Sequence, residues 1–150
     1  MMDIIVRSIK NDDIDNIIEI EKLCFADIWS KKNIEDSLSN SRDILLCVEY
    51  GGNFAGYIFA DFVLDEVNIN RIAINPHLRK IGLASCLLRY LEQKVSDFAV
   101  QIMLEVRKSN LQAQNLYLKN GYNKVGERKR FYTNPVEDAV LMKKILNKVE

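Results

Sequence analysis

Six consecutive residues, Arg79-Lys80-Ile81-Gly82-Leu83-Ala84, carry the most suggestive local chemistry in the chain. They lie where a strand pattern has ended and an apolar helical pattern begins. The first turn of a helix leaves backbone N–H groups without intrahelical partners and points the positive end of its dipole the same way, which suits an anion. Glycine and alanine let a diphosphate approach the backbone closely, and Arg79 with Lys80 adds charge. The lysine precedes the glycine with no Gly-Lys-Ser/Thr after it, so this is not a Walker loop; a single glycine also rules out GxGxxG. A basic loop entering an ordinary helix is the alternative reading of the same residues.

A second group gathers in Ile102-Met103-Leu104-Glu105-Val106-Arg107 and the helical pattern after it. Strand alternation sets Ile102, Leu104 and Val106 on one face, with Met103, Glu105 and Arg107 on the other. A carboxylate among apolar neighbours is expected to be desolvated, which raises its pKa toward what a general base needs near neutrality. The same Glu105 could instead pair with Arg107 or Lys108 across an exposed face. At 100° per residue, Asn110, Ala113 and Tyr117 fall within about 60° of one another, so the amide and the phenol share one side of a helix. Tyr117 is a candidate proton donor or a plain core aromatic.

Composition removes other chemistries. His77 is the only histidine, which leaves no histidine-rich metal site. Asp12, Asp13 and Asp15 lack the glycine and distal glutamate of a calcium loop and suit a helix start better. Cys24, Cys47 and Cys86 match neither a disulfide framework nor a CxxC pair, so reduced thiols are expected. With 21 basic and 21 acidic residues in the chain, Arg128-Lys129-Arg130-Phe131-Tyr132 is expected to be a solvated hairpin rather than a nucleic-acid surface.

The neutral total hides an asymmetry. Residues 1–66 carry 14 acids and 6 bases, a net −8, whereas residues 67–150 carry 7 acids and 15 bases, a net +8. Either the halves attract each other within one fold, or each faces a ligand of opposite sign. No stretch reaches the roughly 18 apolar residues of a membrane span, and the first ten residues lack the features of a secretory signal. A cytoplasmic location is expected.

These groups need a scaffold, and 150 residues, 48% of them hydrophobic, suffice for one core. No repeat, low-complexity tract or linker divides the chain, so one domain over 1–150 is expected. Ile4 to Ile9 is a strand pattern, after which Asp12 can cap a helix with the stripe Ile14, Ile17, Ile18, Leu23 and Cys24. Ser30 can cap a shorter helix ending near Asn40. Ile44–Tyr50 and Phe54–Val63 are β-rich and separated by the hairpin signal Gly51-Gly52. Val67–Ile74 is a further strand that Asn75-Pro76 stops. Gly82–Val95 is an amphipathic helix, Val100–Val106 a strand, and Asn110–Asn120 a helix closed by Gly121. Strands near Tyr122–Tyr132 and Ala139–Ile145 complete an α/β order that predicts a mixed sheet with helices on its faces.

Together these segments resemble the GNAT acetyltransferases. Arg79 to Ala84 looks like their R/Q-x-x-G-x-G/A pyrophosphate loop, and the element order is theirs. More narrowly, Leu104 to Tyr122 is similar to the matching block of the RimI-type ribosomal-protein-alanine N-acetyltransferases, as are Val63–Glu66, Arg71–Pro76 and Phe131–Met142. The resemblance spans nearly the whole chain. It implies the GNAT fold, a mixed but mostly antiparallel sheet of about seven strands with helices on both faces. It also implies acetyl-CoA as donor and a protein N-terminal amine as acceptor, that of a small-subunit ribosomal protein's alanine, with no metal, nucleic acid or membrane. A lysine or small-molecule amine as acceptor, or a non-catalytic acyl-CoA-binding module, are the alternatives.

The resemblance further implies roles. The backbone of Ile72, Ala73 and Ile74 would pair with the pantetheine arm. Amides of Arg79, Lys80, Ile81, Gly82, Leu83, Ala84 and Ser85 would hold the pyrophosphate, and Asn110 would bind the cofactor from the opposite side. Glu105 would deprotonate the amine through water, and a backbone N–H would stabilise the oxyanion. Tyr117 would protonate the departing thiolate, with no acyl-enzyme on Cys86 or His77. Trp29 and Tyr132 would border the acceptor, with a plain core anchor as the alternative reading of each. Relatives often carry a proline beside this tryptophan, whereas the chain has Ala26-Asp27-Ile28-Trp29, which leaves acceptor choice open.

Overall fold

The computed structural model describes residues 2–146. Its elements are β1 (Ile4–Ser8), α1 (Ile14–Cys24), α2 (Lys31–Leu38), β2 (Asp43–Tyr50), β3 (Asn53–Val63), β4 (Glu66–Ile74), α3 (Leu83–Lys94), β5 (Gln101–Arg107), α4 (Leu111–Lys119), β6 (Asn123–Thr133) and β7 (Val136–Ile145). This is the predicted order, and the fold is α/β. The strands form one seven-stranded sheet in the order β1-β2-β3-β4-β5-β7-β6. Only β4 and β5 run parallel; every other neighbouring pair is antiparallel.

Helices cover both faces, so β2 and β3 are buried on both sides, whereas β4 and β5, which border the site, keep an alternating pattern. On one face α3 and α4 bury Leu83, Leu87, Leu88, Leu91 and Tyr117 against Ile58, Ile69, Ile102 and Leu104. On the other, α1 and α2 bury Ile14, Ile17, Ile20 and Ile34 against Tyr57, Phe59 and Ala73. The β2–β3 hairpin turns through Gly51 (φ 59°) and Gly52 (φ 84°), two consecutive left-handed residues that β-carbon-bearing side chains rarely adopt.

Some local expectations differ. Asp12 does not cap α1: residues Asn11–Asp13 form a 3₁₀ turn, and Asp13 occupies the cap position without bonding the helix. Its carboxylate instead takes the Lys10 N–H at 2.8 Å and both guanidinium ends of Arg7 at 2.8 and 3.0 Å. The α1 stripe also differs, since Leu23 is exposed while Ile20 and Glu21 are buried. β7 begins at Val136, three residues before its expected start, because β6 and β7 pair down to Thr133–Val136. The two oppositely charged halves do not zip together: among the described residues Glu21–Arg71 is the one ion pair that joins them. No described helix is long and apolar enough to cross a membrane.

The Arg7 bond holds the Asp13 carboxyl below its ordinary value near 3.8, with burial opposing it. A depressed carboxyl contributes stability that is present above the unfolded value and lost as pH falls through the lower folded one. Asp13→Asn is therefore expected to cost about 2 kcal/mol near pH 6, where charged hydrogen bonds are intact. Denaturant melts repeated down to pH 3 should show that cost shrinking as the wild type loses the same contribution.

Candidate active site

The site originates in the sheet. β4 and β5 pair from Glu66–Gln101 to Ile69–Leu104 and then part, although β4 continues to Ile74 and β5 to Arg107. Their facing edges lose each other's hydrogen bonds, and a cavity of about 1000 Å³ opens between them. A β-bulge sits where they part: Ile69 opposes Ala60 and Arg71 opposes Phe59, which leaves Asn70 as the extra residue.

One end of the cavity meets the start of α3. Gly82 occupies its N-cap with φ 98°, no side chain caps the helix, and no acid lies in its first turn. The first-turn N–H groups of Leu83, Ala84 and Ser85 are therefore free of side-chain caps, and all three residues line the cavity with Arg79, Lys80 and Gly82. Ile81 does not; it projects outward and is exposed. A β-carbon at Gly82 would meet nothing within 4 Å, so glycine is required there by φ and not by packing. Ile72, Ala73 and Ile74 line the β4 wall. The Ile74 carbonyl receives the Arg79 Nε at 3.4 Å, and Arg79 Nη2 lies 3.3 Å from the Cys24 sulfur. Across the cavity Asn110 caps α4, its Oδ1 accepting the Ala113 N–H at 3.1 Å, which leaves its amide donors unspent among the described residues. Asn120 Nδ2 donates to Ser85 Oγ at 3.1 Å and ties α4 to α3.

Glu105 and Tyr117 both border this cavity. Glu105 lies on the predicted face of β5, yet its surroundings are not apolar: its side chain is 33% exposed and pairs with Arg128 Nε at 3.4 Å. The partner is neither Arg107 nor Lys108. Strand β7 lies between β5 and β6, so Arg128 reaches across one strand to make the pair. Tyr117 is buried, and burial pushes its phenol well above the ordinary value. The hydroxyl has no partner among the described residues, yet no sealed polar side-chain atom among them lacks one. It must therefore open into the cavity it lines. Tyr132 borders the cavity, with the Arg107 guanidinium 4.3 Å from its ring centre. Burial first, and the Glu105 charge second, raise the Tyr132 phenol.

Trp29 does not border the cavity. It packs on Phe59 with ring centres 4.8 Å apart, and its N–H donates to Glu21 Oε1 at 2.8 Å. That glutamate was not anticipated. It is fully buried and accepts four bonds: Trp29 N–H, Tyr57 Oη at 2.5 Å, and Arg71 Nε and Nη2 at 3.0 and 2.8 Å. Arg71 also donates to the Asp27 carbonyl and stacks 3.6 Å over Phe25. The network pins the α1–α2 loop, whose Phe25, Ala26 and Asp27 form a cavity wall. Asn134 of the β6–β7 turn reaches the same Asp27 at 3.5 Å. The signal for Glu21 was present: it stands at helical spacing between Ile17 and Cys24, a carboxylate in the middle of an apolar stripe. Among the described residues no cluster of metal-ligating side chains occurs.

Residues 14–122 match the acetyltransferase (GNAT) family, so the chain belongs to that family and is an acetyl-CoA-dependent N-acetyltransferase. Within the family it is similar to ribosomal-protein-alanine N-acetyltransferases. A Bacillus subtilis (strain 168) protein provisionally named for acetylating alanine of ribosomal protein bS18 is 39% identical over 140 residues, covering 91% of this chain and 92% of the relative. The crystal structure of the Escherichia coli ribosomal-protein-S18-alanine N-acetyltransferase superposes with a TM-score of 0.89 at 27% identity, covering 99% and 97% of the two chains. Arabidopsis thaliana NAA60 in complex with acetyl-CoA shares the fold, with a TM-score of 0.87 at 17% identity over 95% of this chain and 99% of its own.

Gly82→Ala is expected to lower stability by about 1 kcal/mol, the cost of an L side chain at left-handed φ. Calorimetric titration should show weaker acetyl-CoA binding, with far-UV dichroism unchanged. Undiminished affinity would mean that the αL turn is not part of the donor site.

Proposed function

We propose that this enzyme acetylates the α-amine of a protein N-terminus, the alanine of a small-subunit ribosomal protein, by direct attack within a ternary complex. The observation that carries the chemistry is the pairing of Glu105 and Tyr117 on one cavity, between strands whose facing backbone edges are free. Similarity to relatives named for acetylating the alanine of ribosomal protein bS18 supports this acceptor. The acidic first half, net −8, favours a basic protein tail, and the basic second half favours coenzyme A. The chain acts as one catalytic domain in the cytoplasm.

The pyrophosphate lies on the first-turn amides of α3 with Arg79 and Lys80 beside it, and the pantetheine arm adds to the free edge of β4. A peptide α-amine has a pKa of roughly 7.7–8.0, so much of it is protonated at neutral pH and cannot attack. Glu105, open to water, accepts that proton; Arg128 releases the carboxylate as the ammonium arrives. The neutral amine attacks the thioester carbonyl, and a backbone N–H of the β4 bulge region stabilises the oxyanion. The C–S bond then breaks, the thiolate takes its proton from Tyr117, and the second proton of the former amine leaves the amide nitrogen through water to restore the Tyr117 phenol. A phenol held above its usual range stays protonated through the neutral region, which keeps this donor charged with its proton. Cys86 and His77 stand outside the cavity; Cys24 lines it, with its sulfur held against the Ile74 carbonyl and Arg79 Nη2, and the scheme assigns none of the three an acyl-enzyme.

The test is acetylation by the wild type of peptides beginning Ala, Ser or Met, against a peptide with a blocked N-terminus and one lysine. Modification of the blocked peptide alone would overturn the α-amine assignment. Tyr117→Phe is expected to lower kcat about 100-fold, the usual contribution of a positioned acid, with KM for acetyl-CoA unchanged. Glu105→Gln should reduce kcat/KM most below pH 8, where the amine is largely protonated. Equal rates for Glu105→Gln and wild type from pH 6 to 9 would remove its role as base.

A further inference from the structure

Arg71 is not fully consumed by the network that holds it. Its Nε and Nη2 are bonded to Glu21 and to the Asp27 carbonyl, whereas Nη1 has no partner among the described residues. No sealed side-chain nitrogen or oxygen among those residues is left unpaired, so Nη1 is open, and the space Arg71 borders is the cavity. The side chain is otherwise 15% exposed and clamped by stacking and a two-pronged carboxylate, so this donor is held in place rather than swinging freely.

The bulge decides where that donor lies. Ile69 and Leu104 pair and both face α3 and α4. One residue on, Glu105 faces the opposite side, toward α1 and α2. On β4 the extra residue Asn70 delays the alternation, so Arg71, opposite Phe59, faces that side too, as does Ala73. Arg71 and Glu105 thus lie on the same face of the sheet, on the two strands that part, at almost the same level. In the donor pose proposed above the thioester comes from the α3–α4 side, which leaves this face, walled by Phe25, Ala26 and Asp27, to the acceptor.

An α-amine has one polar feature nearby that a lysine amine lacks: a carbonyl oxygen attached through the same α-carbon. We propose that Arg71 Nη1 donates a hydrogen bond to the carbonyl oxygen of the acceptor's first residue while Glu105 takes the amine, and that this contact selects N-terminal amines over lysine side chains. The recognised oxygen is neutral. Glu21 already balances the Arg71 charge, and Asp27 and Glu105 on the same wall repel a carboxylate. The inference rests on the α-amine reading above and adds a named selectivity residue to it.

The test compares two acceptor peptides, one natural and one whose first peptide bond is replaced by an (E)-alkene that keeps its shape without the oxygen. The wild type is expected to lose about 10- to 100-fold in kcat/KM on the alkene, the range for a hydrogen bond from a charged donor. The double variant Glu21→Gln/Arg71→Met, which leaves no buried carboxylate unpaired, should lose a similar factor on the natural peptide and nothing further on the alkene. KM for acetyl-CoA should stay within about 2-fold. If the double variant does not fold, Arg71→Lys takes its place, since lysine keeps the charge opposite Glu21 but withdraws the Nη1 donor. A variant that still discriminates between the two peptides as the wild type does overturns the Arg71 contact alone, as does a wild type indifferent to the alkene. A wild type that leaves every peptide α-amine unmodified overturns both this contact and the proposed function.

Discussion

The parting of β4 from β5 is the constraint on which the rest depends. A parallel pair that stays zipped satisfies its backbone groups internally and has nothing to offer a ligand. Here four residues of each strand pair, and the remainder of both strands face an open space. Each component of the site is hung on that gap: the amides of α3 at one end, Asn110 and Tyr117 on α4 along one side, and Glu105 on the unzipped end of β5. The bulge at Asn70 belongs to the same event, because it re-phases β4 just where the strand loses its neighbour.

Holding such a gap open has an energetic consequence on the face covered by α1 and α2. A buried carboxylate is unfavourable unless charge and hydrogen bonds both compensate it, and Glu21 has both. Its four donors come from the α1–α2 loop, β3 and β4, so satisfying one side chain fixes three pieces of backbone. The opposite wall is steadied by another arginine. Arg107 donates to the carbonyls of Asn134 and Pro135 and to Glu137, whose second oxygen takes the Ser109 N–H at 2.6 Å. Two arginine-centred networks therefore brace the loops on either side, and they meet through Asp27 and Asn134.

The element order, the helices on both faces and the positions of Glu105, Asn110, Tyr117 and the α3 loop were legible in the sequence because each has a local signature. Alternation, helical spacing and a glycine before a leucine-rich stripe all act over a few residues. What was not legible depends on partners distant in the chain. Glu105 was expected among apolar groups, and only strand order brings Arg128 across β7 to it. Asp12 had the composition of a cap, but Arg7 and the Lys10 N–H drew Asp13 into the turn instead. Trp29 could be read as an acceptor contact or as a core anchor, and only the distant Phe59, on which its ring packs, decides for the second. Arg71 entered only as the first residue of a segment resembling the family, since its meaning comes from Glu21, fifty residues earlier.

Strand β6 closes the sheet at one edge, and its pairing with β7 is irregular between Arg128 and Tyr132. A change in an edge strand disturbs the ladder to one neighbour, whereas a change in a central strand disturbs two. The residues facing an acceptor from that side can therefore diverge while the buried helices that grip the nucleotide stay as they are. Such an arrangement keeps the edge that can vary apart from the helices that would grip the nucleotide.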